Sequence, residues 1–374
     1  MKLNQWTLGL AAVGAVSLAS VVSADEAKVS QVQTALSSTT LSGYVDVAAQ
    51  YNAGNNGVES TIAPGVSTSK IDSFSLNDVD VALDKPQDES PWASGYHVEL
   101  NYGTDSITPL NGSPVRQAYV ALRTPVGNGI DWKAGLFDNI IGYEGNTDGG
   151  NPNYTRSYGY SVEPTSYLGL LGTYKVNSLI SLQAGIANTL TSQDGNITPT
   201  STSAKSYIAA VALTAPDSWG FLKGATLNFG VNDQAIGNFK PSATPEAQQN
   251  YFAGLTLPTP IAALKFGAAF DWVNYANAAG AANPKDDSIW IGGVYASYQA
   301  TDKLSLNLRG EYDKDDVNAN QGEELTATVQ YNLWANVISR AEFRWDHAAH
   351  GTQYGATGQD ANAYLVALNL IYQF

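Results

Sequence analysis

Apolar and polar residues alternate along most of the chain from Leu41 onward. Between Leu41 and Tyr51, apolar or small residues occupy every second position, and most of the residues between them are polar. A period of two is typical of a β-strand with one apolar and one polar face. The same alternation recurs at residues 96–102, 130–136, 225–232, 264–272, 304–312 and 337–345.

The links between the predicted strands fall into two length classes. Short links occur at residues 124–129, 176–178, 214–220, 299–303 and 333–336. Longer links rich in Gly and Asn lie between them, at residues 53–71, 138–163, 189–205, 233–249, 274–287 and 346–360. Strict alternation of short periplasmic turns and long outer loops is typical of a transmembrane barrel, and a β-sandwich has no reason to show it. The predicted fold is an all-β, antiparallel transmembrane β-barrel of about sixteen strands.

One predicted strand breaks the alternation. Phe74 and Leu76 are in phase with each other but out of phase with Val79 and Leu83. An extra residue in one strand of a pair restores the face of the residues beyond it. The sequence therefore predicts a β-bulge near Asp78.

Aromatic residues cluster near the ends of the predicted strands. An amphipathic ring is favoured at the level of the lipid headgroups, so these positions predict girdles in contact with outer-membrane lipids. The residues concerned are Tyr51, Trp132, Tyr174, Trp272, Tyr298, Tyr312, Tyr331, Trp345 and Tyr372.

The N-terminus has the pattern of an export signal. Lys2 precedes an apolar stretch over residues 6–22, and small residues lead up to a predicted cleavage after Ala24. The stretch is short and contains serines, which disfavours a transmembrane anchor. The predicted domains are a signal peptide at 1–24, a short periplasmic segment at 25–40, and an outer-membrane barrel of a Gram-negative bacterium at 41–374.

The charge balance is acidic, with 19 Lys and Arg against 34 Asp and Glu and a net charge of -15. Binding of nucleic acid needs clustered cations, so a nucleic-acid partner is excluded, whereas a field that favours cations is compatible with this balance. The chain has no Cys and so no thiolate chemistry. The acidic segment 313–324 departs from a calcium loop at Val317 and Asn318, and we predict neither a metal nor a cofactor.

An enzyme is the rival class of protein. The three histidines are His97, His347 and His350, and the chain has no G-x-S-x-G motif. We therefore predict that the chain is not an enzyme. A barrel-embedded hydrolase and a non-conducting structural or adhesive barrel remain as alternatives.

Four segments between residues 115 and 157 carry a family resemblance. The segments Val115–Val120, Lys133–Phe137, Ile141–Glu144 and Asn151–Ser157 resemble the OmpL-like β-barrel porin family. The opening Leu41–Asp46 fits the first strand of that family. The resemblance implies an outer-membrane porin whose substrates are not defined.

The C-terminus and the size of the chain extend this resemblance. The chain ends on Phe374 after alternating apolar residues, which resembles the signal that engages the barrel insertion machinery. General porins have a similar size and are trimers, so the resemblance makes a homotrimer plausible.

The polar inner face would be the functional surface of a pore, because about sixteen strands enclose more space than side chains fill. Arg309, Arg340 and Arg344 point inward in the predicted strands, together with Glu311 and Glu342. Opposed charges across a lumen produce a field that selects solutes by charge. Cross-strand ion pairs that stiffen the wall are the alternative interpretation.

The segment 138–163 is the longest loop candidate, and porins commonly fold one loop into the lumen as a constriction. The candidates for its lining are Tyr143, Glu144, Asp148, Tyr154 and Arg156. An outward, solvated loop is the alternative. The predicted function is a water-filled channel for passive diffusion of small hydrophilic solutes, with a weak preference for cations.

Overall fold

The computed structural model describes residues 32–33, 38–53, 70–107, 109, 112–188, 205–233, 247–276, 287–316, 320–350, 354 and 360–374. The predicted signal peptide and most of the segment 25–40 lie outside this part. Within it, β1 is a pair of residues, Val32–Gln33, and β2 to β17 form the barrel. The bounds are β2 Thr40–Ala53, β3 Ser73–Lys85, β4 Ser94–Tyr102, β5 Val115–Thr124, β6 Ile130–Asp138, β7 Ser166–Lys175, β8 Ile180–Asn188, β9 Lys205–Thr214, β10 Thr226–Asp233, β11 Ala247–Pro258, β12 Leu264–Ala276, β13 Asp287–Gln299, β14 Leu304–Asp315, β15 Asn320–Trp334, β16 Val337–His350 and β17 Asn362–Gln373.

The barrel is closed by pairing of its last strand with its first. Each strand from β2 to β17 is antiparallel to its neighbours in chain order, and β17 pairs with β2 from Tyr364 opposite Ala53 to Gln373 opposite Tyr44. Beyond this ladder, the backbones of Gly43 and Phe374 exchange hydrogen bonds of 3.1 and 3.0 Å. Closure leaves no row of unpaired backbone groups in lipid. The predicted fold, an antiparallel barrel of sixteen strands, is confirmed.

The two faces of the wall have the predicted character. Outward side chains such as Phe74 and Leu368 are 89% and 60% exposed, while most inward polar side chains are buried. The predicted β-bulge is confirmed, because Asp46 pairs with Asp78 and the next residue, Val47, pairs with Leu76. Asn77 is the extra residue, and both Asn77 and Asp78 are buried.

Most of the links follow the predicted length classes. Short links join strands at the end of the barrel that holds the chain termini, and two of them, at residues 86–93 and 259–263, were not predicted. The turn between β15 and β16 has two residues, with Asn336 at a φ of 64°. Asn tolerates this left-handed conformation better than most residues, which suits a tight hairpin.

One outer link, between β14 and β15, is much shorter than the others. The ladder between β14 and β15 continues to the pair Asp315 and Asn320, so residues 316–319 alone join the two strands. The acidic segment 313–324 is therefore mostly paired hairpin and not a loop that wraps a calcium ion. Long outer loops are thus the rule with one exception among the described strands.

The wall has two heights. The contiguous strands β4 to β7 have 9–10 residues each and β8 to β10 have 8–10 described residues, whereas β11 to β17, β2 and β3 have 12–15 residues. Within the described residues, helical structure is limited to short pieces, including α1 (Tyr158–Val162) and 3-10 turns at Asp148–Gly150 and Asp217–Leu222. No helix in the described residues has the length and apolar character needed to cross a membrane.

Candidate functional site: a loop docked inside the barrel

Residues 139–165, which connect β6 to β7 and are called the lumen loop here, fold against the inner face of the wall. Asn151 holds a compact turn, because its side chain accepts from Gly145 N–H at 2.8 Å and donates to the carbonyls of Gly145 and Thr147. Ser157 caps α1 by accepting from Tyr160 N–H at 3.0 Å. A serine at this position satisfies one of the free donors at a helix start.

The first part of the lumen loop packs on an apolar sector of the wall. The Tyr143 ring stacks on Tyr295 with 4.0 Å between ring centroids, and Gly267 leaves room for the Tyr143 hydroxyl. Burial of these rings and aliphatic side chains stabilises the docked loop through the hydrophobic effect. The cluster comprises Leu136, Phe137, Ile140, Ile141, Tyr143, Tyr167, Leu171, Ala187, Ile208, Ala210, Phe252 and Tyr295.

Arg309 on β14 joins the wall to the lumen loop. Its guanidinium donates to Glu144 Oε1 at 2.8 Å and to the carbonyl of Thr155 at 2.7 Å, both on the loop. It also donates to Glu324 of β15 at 3.1 Å. Arg309 is fully buried, and a buried cation is tolerated only when it is paired and hydrogen-bonded in this way.

Glu342 on β16 accepts three hydrogen bonds from the lumen loop. The backbone N–H groups of Tyr154 and Thr155 donate to its carboxylate at 2.6 and 2.9 Å, and the Thr155 hydroxyl donates at 2.7 Å. Thr328 of β15 donates to the same carboxylate at 2.7 Å. A carboxylate that accepts from backbone groups forms charge-assisted hydrogen bonds, which are stronger than neutral ones.

Three further wall residues bind backbone groups of the lumen loop. Arg340 donates to the carbonyls of Asp148 and Asn151 at 3.1 and 2.6 Å, and Arg344 donates to the carbonyl of Arg156 at 2.7 Å. Glu311 accepts from Tyr158 N–H at 2.6 Å. The wall thus holds the loop mainly by its backbone.

These contacts bring the ten predicted site residues together at one level of the lumen. The outward, solvated loop is excluded as an alternative for residues 138–163. The wall charges do more than bridge neighbouring strands, since they bind the lumen loop. Nine of the ten are nearly inaccessible to solvent, however, so their predicted role in lining a pore remains a prediction. These nine are Tyr143, Glu144, Tyr154, Arg156, Arg309, Glu311, Arg340, Glu342 and Arg344.

A second sector of the wall, β3 to β6, is separated from β16 by β17 and β2 and carries further charges, which the sequence analysis missed. Arg116 on β5 binds Glu99 of β4 and donates to Asp138 at 2.7 Å, and its Nε lies 3.8 Å from Asp80 of β3. Arg116 lies in one of the segments that carry the family resemblance. Charged residues at inward positions of the predicted strands were the signal that could have identified this sector. That criterion was used for β14 and β16 but not for β3 to β6.

Solvent reaches the space between this sector and the lumen loop. Asp148 and Tyr160 of the loop, and Tyr119 and Lys133 of the wall, are partly exposed. The Lys133 ammonium lies 4.7 Å from the centroid of the Tyr119 ring, a cation–π geometry. Burial raises the pKa of the Tyr160 hydroxyl to about 12, so this group is neutral at pH 7.

Arg156 supports the exposed edge of the lumen loop. Its Nη2 donates to Asp148 Oδ1 at 2.7 Å and to the carbonyl of Asn146 at 2.9 Å. Its guanidinium carbon lies 5.2 Å from the centroid of the Tyr160 ring. The side chain therefore fixes the two partly exposed residues that face the charged sector of the wall.

Solved structures with the same architecture are outer-membrane proteins, among them a porin and a channel. The anion-selective porin from Comamonas acidovorans has a TM-score of 0.61 at 10% identity, over 90% of this chain and 99% of that porin. The channel DcaP of Acinetobacter baumannii has a TM-score of 0.58 at 13% identity, over 90% and 97%. OmpT of Vibrio cholerae in its trimer form has a TM-score of 0.59 at 13% identity, over 90% and 99%. At these identities, the likeness shows the fold.

A closed barrel with a loop docked in its lumen defines the class of an outer-membrane porin. The chain matches the family described as "Putative beta-barrel porin-2, OmpL-like" over residues 38–374, and it belongs to that family. None of the curated proteins is similar enough in sequence to match this chain.

Proposed function

We propose that this porin carries small hydrophilic solutes by passive diffusion between the lumen loop and the β3–β6 sector of the wall. The observation that carries the proposal is the partly exposed, charged surface of Asp148, Tyr160, Tyr119 and Lys133. The other sides of the loop are occupied by the apolar cluster and by the bonds to β14–β16. A wetted gap between charged surfaces admits hydrated solutes and excludes apolar ones.

Planar-bilayer recording of the purified protein tests this path. We expect ohmic single-channel steps at moderate voltage. Replacement of Tyr160 by Trp would narrow the gap and reduce the step size. The matched variant Tyr298→Trp, on the outer face of β13, would leave it unchanged. A silent barrel would support the alternative of a structural or adhesive protein, and equal steps in both variants would place the path elsewhere.

We further propose a weak preference for cations. Carboxylates outnumber cations around the gap, where Asp80, Glu99, Asp138 and Asp148 face Arg116, Arg156 and Lys133. An excess of fixed negative charge raises the local concentration of cations. The reversal potential in a salt gradient measures this preference, and Asp148→Asn is expected to weaken it. An anion-selective reversal potential in the native protein would contradict the proposal.

The low wall is proposed as the interface of a homotrimer. At about 3.3 Å per residue and a tilt of about 40°, strands of 8–10 residues span only about 20–25 Å, at or below the apolar band of about 25 Å. A second copy would cover such a wall better than lipid. Because the chain has no Cys, Val120→Cys on β5 and Leu308→Cys on β14 are a matched pair for cross-linking. Their side chains are 50% and 52% exposed. We expect cross-links at Val120 alone, and the reverse result would refute this interface.

We propose that the chain is exported through a signal peptide that is then cleaved. We also propose that the insertion machinery recognises Phe374. In the folded barrel the Phe374 backbone is bonded to Gly43, so the signal is free only before closure. Phe374→Ala is expected to reduce assembly in the membrane while the in-vitro folding of the barrel changes less. Mass spectrometry of the exported protein tests cleavage after Ala24.

We also propose that the chain has no enzymatic activity. The His97 ring lies between the carboxylates of Asp84 and Glu99, at 3.0 and 3.1 Å, and stacks on Tyr119. These contacts hold His97 within the charged wall, so its ring has a structural explanation that does not require catalysis. Detection of hydrolysis that is lost in His97→Gln would contradict the proposal.

A further inference from the structure

The C-terminal end of the lumen loop places one carboxyl group against another. Glu163 follows α1 and Asp271 lies on the inner face of β12, and each residue is 3% exposed. Asp271 is the charged group that acts most strongly on Glu163. In the described part of the chain no donor reaches Glu163 Oε2. Ionised carboxylates only accept hydrogen bonds and repel each other, so a buried pair of this kind is stabilised when one of the two holds a proton.

Two glycines make room for this pair. A Cβ at Gly142 would collide with Glu163 Oε2, and a Cβ at Gly159 would lie 2.8 Å from Asp271 Oδ2. Gly142 also has a φ of 110°, a conformation that L-residues rarely adopt. The lumen loop is therefore shaped around the two carboxyl groups.

The surroundings of the pair are acidic or neutral. The titratable and charged groups that face Glu163 are Asp271 of β12, Glu144 of the lumen loop, Glu311 of β14 and Tyr167 of β7. The cation of that region, Arg309, is already bound to Glu144 and Glu324. Burial, together with the Asp271 carboxyl, holds the pKa of Glu163 well above its usual range.

We propose that Glu163 and Asp271 form a proton-binding site that latches the end of the lumen loop to β12. With a proton bound, one carboxyl donates to the other and the loop stays docked. When the proton leaves to solvent, two negative charges face each other in a medium of low dielectric constant and repel. The end of the loop then separates from the wall, and Val162 loses its packing against Val273, Ile289 and Ile291.

The direction of the pH dependence follows from the raised pKa of Glu163. A group whose pKa is higher in the docked state stabilises that state at low pH, and this stabilisation is lost as the pH rises through the raised value. The loop is therefore docked at low pH and is released as the pH rises through the raised pKa of Glu163. This inference concerns the position of the loop and does not need the channel to conduct.

Thiol labelling in the full-length protein tests the latch. The chain has no Cys, and Val162 is buried, so Val162→Cys reports separation of the loop end from the wall. Glu163→Gln supplies a permanent N–H donor and keeps the loop docked at every pH. The labelling rate is measured at each pH for Val162→Cys alone and for Val162→Cys combined with Glu163→Gln. The ratio of the first rate to the second cancels the intrinsic pH dependence of thiol labelling. We expect this ratio to rise with pH, by up to about tenfold per pH unit above the pKa of the pair.

Matched variants make the test decisive. Glu323→Gln removes an exposed carboxylate and is expected to leave the pH dependence intact. Asp271→Asn provides the same latch from the other side if Glu163→Gln folds poorly. The infrared band of a protonated carboxyl is expected in the native protein at pH values below the rise in the labelling ratio, and it is expected to weaken in either variant.

Three results would overturn the proposal. A labelling ratio that does not change with pH would show that the pair does not control the loop. Absence of the protonated-carboxyl band would show that no proton is bound. A ratio that depends on sodium concentration and not on pH would assign the site to a metal cation. A barrel that is silent in bilayers yet shows the labelling transition would contradict the proposed channel function and leave the latch standing.

Discussion

Removal of the Arg309 guanidinium tests whether buried charge holds the lumen loop to the wall. Arg309→Met keeps much of the side-chain length but leaves Glu144 and Glu324 buried without their cation. Loss of one partner from a buried ion pair costs about 3–5 kcal/mol. At about 1.4 kcal/mol per factor of ten, the population ratio of docked to released loop falls more than about 100-fold.

A double-mutant cycle measures the coupling directly. The free energy of unfolding in urea is compared for the native protein, Arg309→Met, Glu144→Gln and the double variant in lipid vesicles. Arg309→Met leaves the buried Glu144 carboxylate without its cation, and Glu144→Gln removes that negative charge. We therefore expect a coupling energy of about 0.5–3 kcal/mol between the two substitutions. Lys303→Met, at an exposed turn, is the matched control and should change little. Strict additivity, or equal costs for Arg309→Met and Lys303→Met, would refute the reasoning.

Three further predictions concern the bulge and the loop contacts. Deletion of Asn77 moves Phe74 and Leu76 to the inner face, so we expect loss of the folded band in heat-modifiability gels, whereas deletion of the exposed turn residue Glu89 should be tolerated. Glu342→Gln weakens the acceptor of three loop donors and is expected to increase current noise in bilayers; unchanged noise would contradict this role. Tyr143→Ala should reduce the free energy of unfolding by about 3–5 kcal/mol and Tyr143→Phe by much less, because the ring and not the hydroxyl fills the cluster; equal losses would contradict that assignment.

The strands were predictable because each one separates lipid from a polar interior. This constraint imposes the period of two from Leu41 onward, and even the bulge at Asn77 left a readable break in phase. The outer end of the hairpin between β14 and β15 was not predicted as strand, because residues such as Asp313 and Lys314 give it no apolar face. Where both faces of a strand meet water, alternation no longer distinguishes a strand from a loop.

The contacts of the lumen loop were beyond any local pattern. Glu342 binds the backbone of Tyr154 across 188 positions of sequence, and Arg309 binds Glu144 across 165. The sequence indicated that these wall charges point inward, but it could not indicate what they meet there. For the same reason it did not reveal that Arg116, Glu99 and Asp80 form a second charged sector. Charges on the inner face are visible in a sequence, whereas their partners across a lumen are not.

The long separation of these contacts sets an order for assembly. Pairing of adjacent strands in chain order closes links of 27 residues or fewer, whereas docking of residues 139–165 on β14–β16 must wait until strands near the C-terminus exist. Contacts distant in sequence form late because closing a long loop costs more chain entropy. The nascent barrel therefore has an interim stage in which the lumen is wide and the wall charges have only water as a partner. Maturation ends when the loop displaces that water.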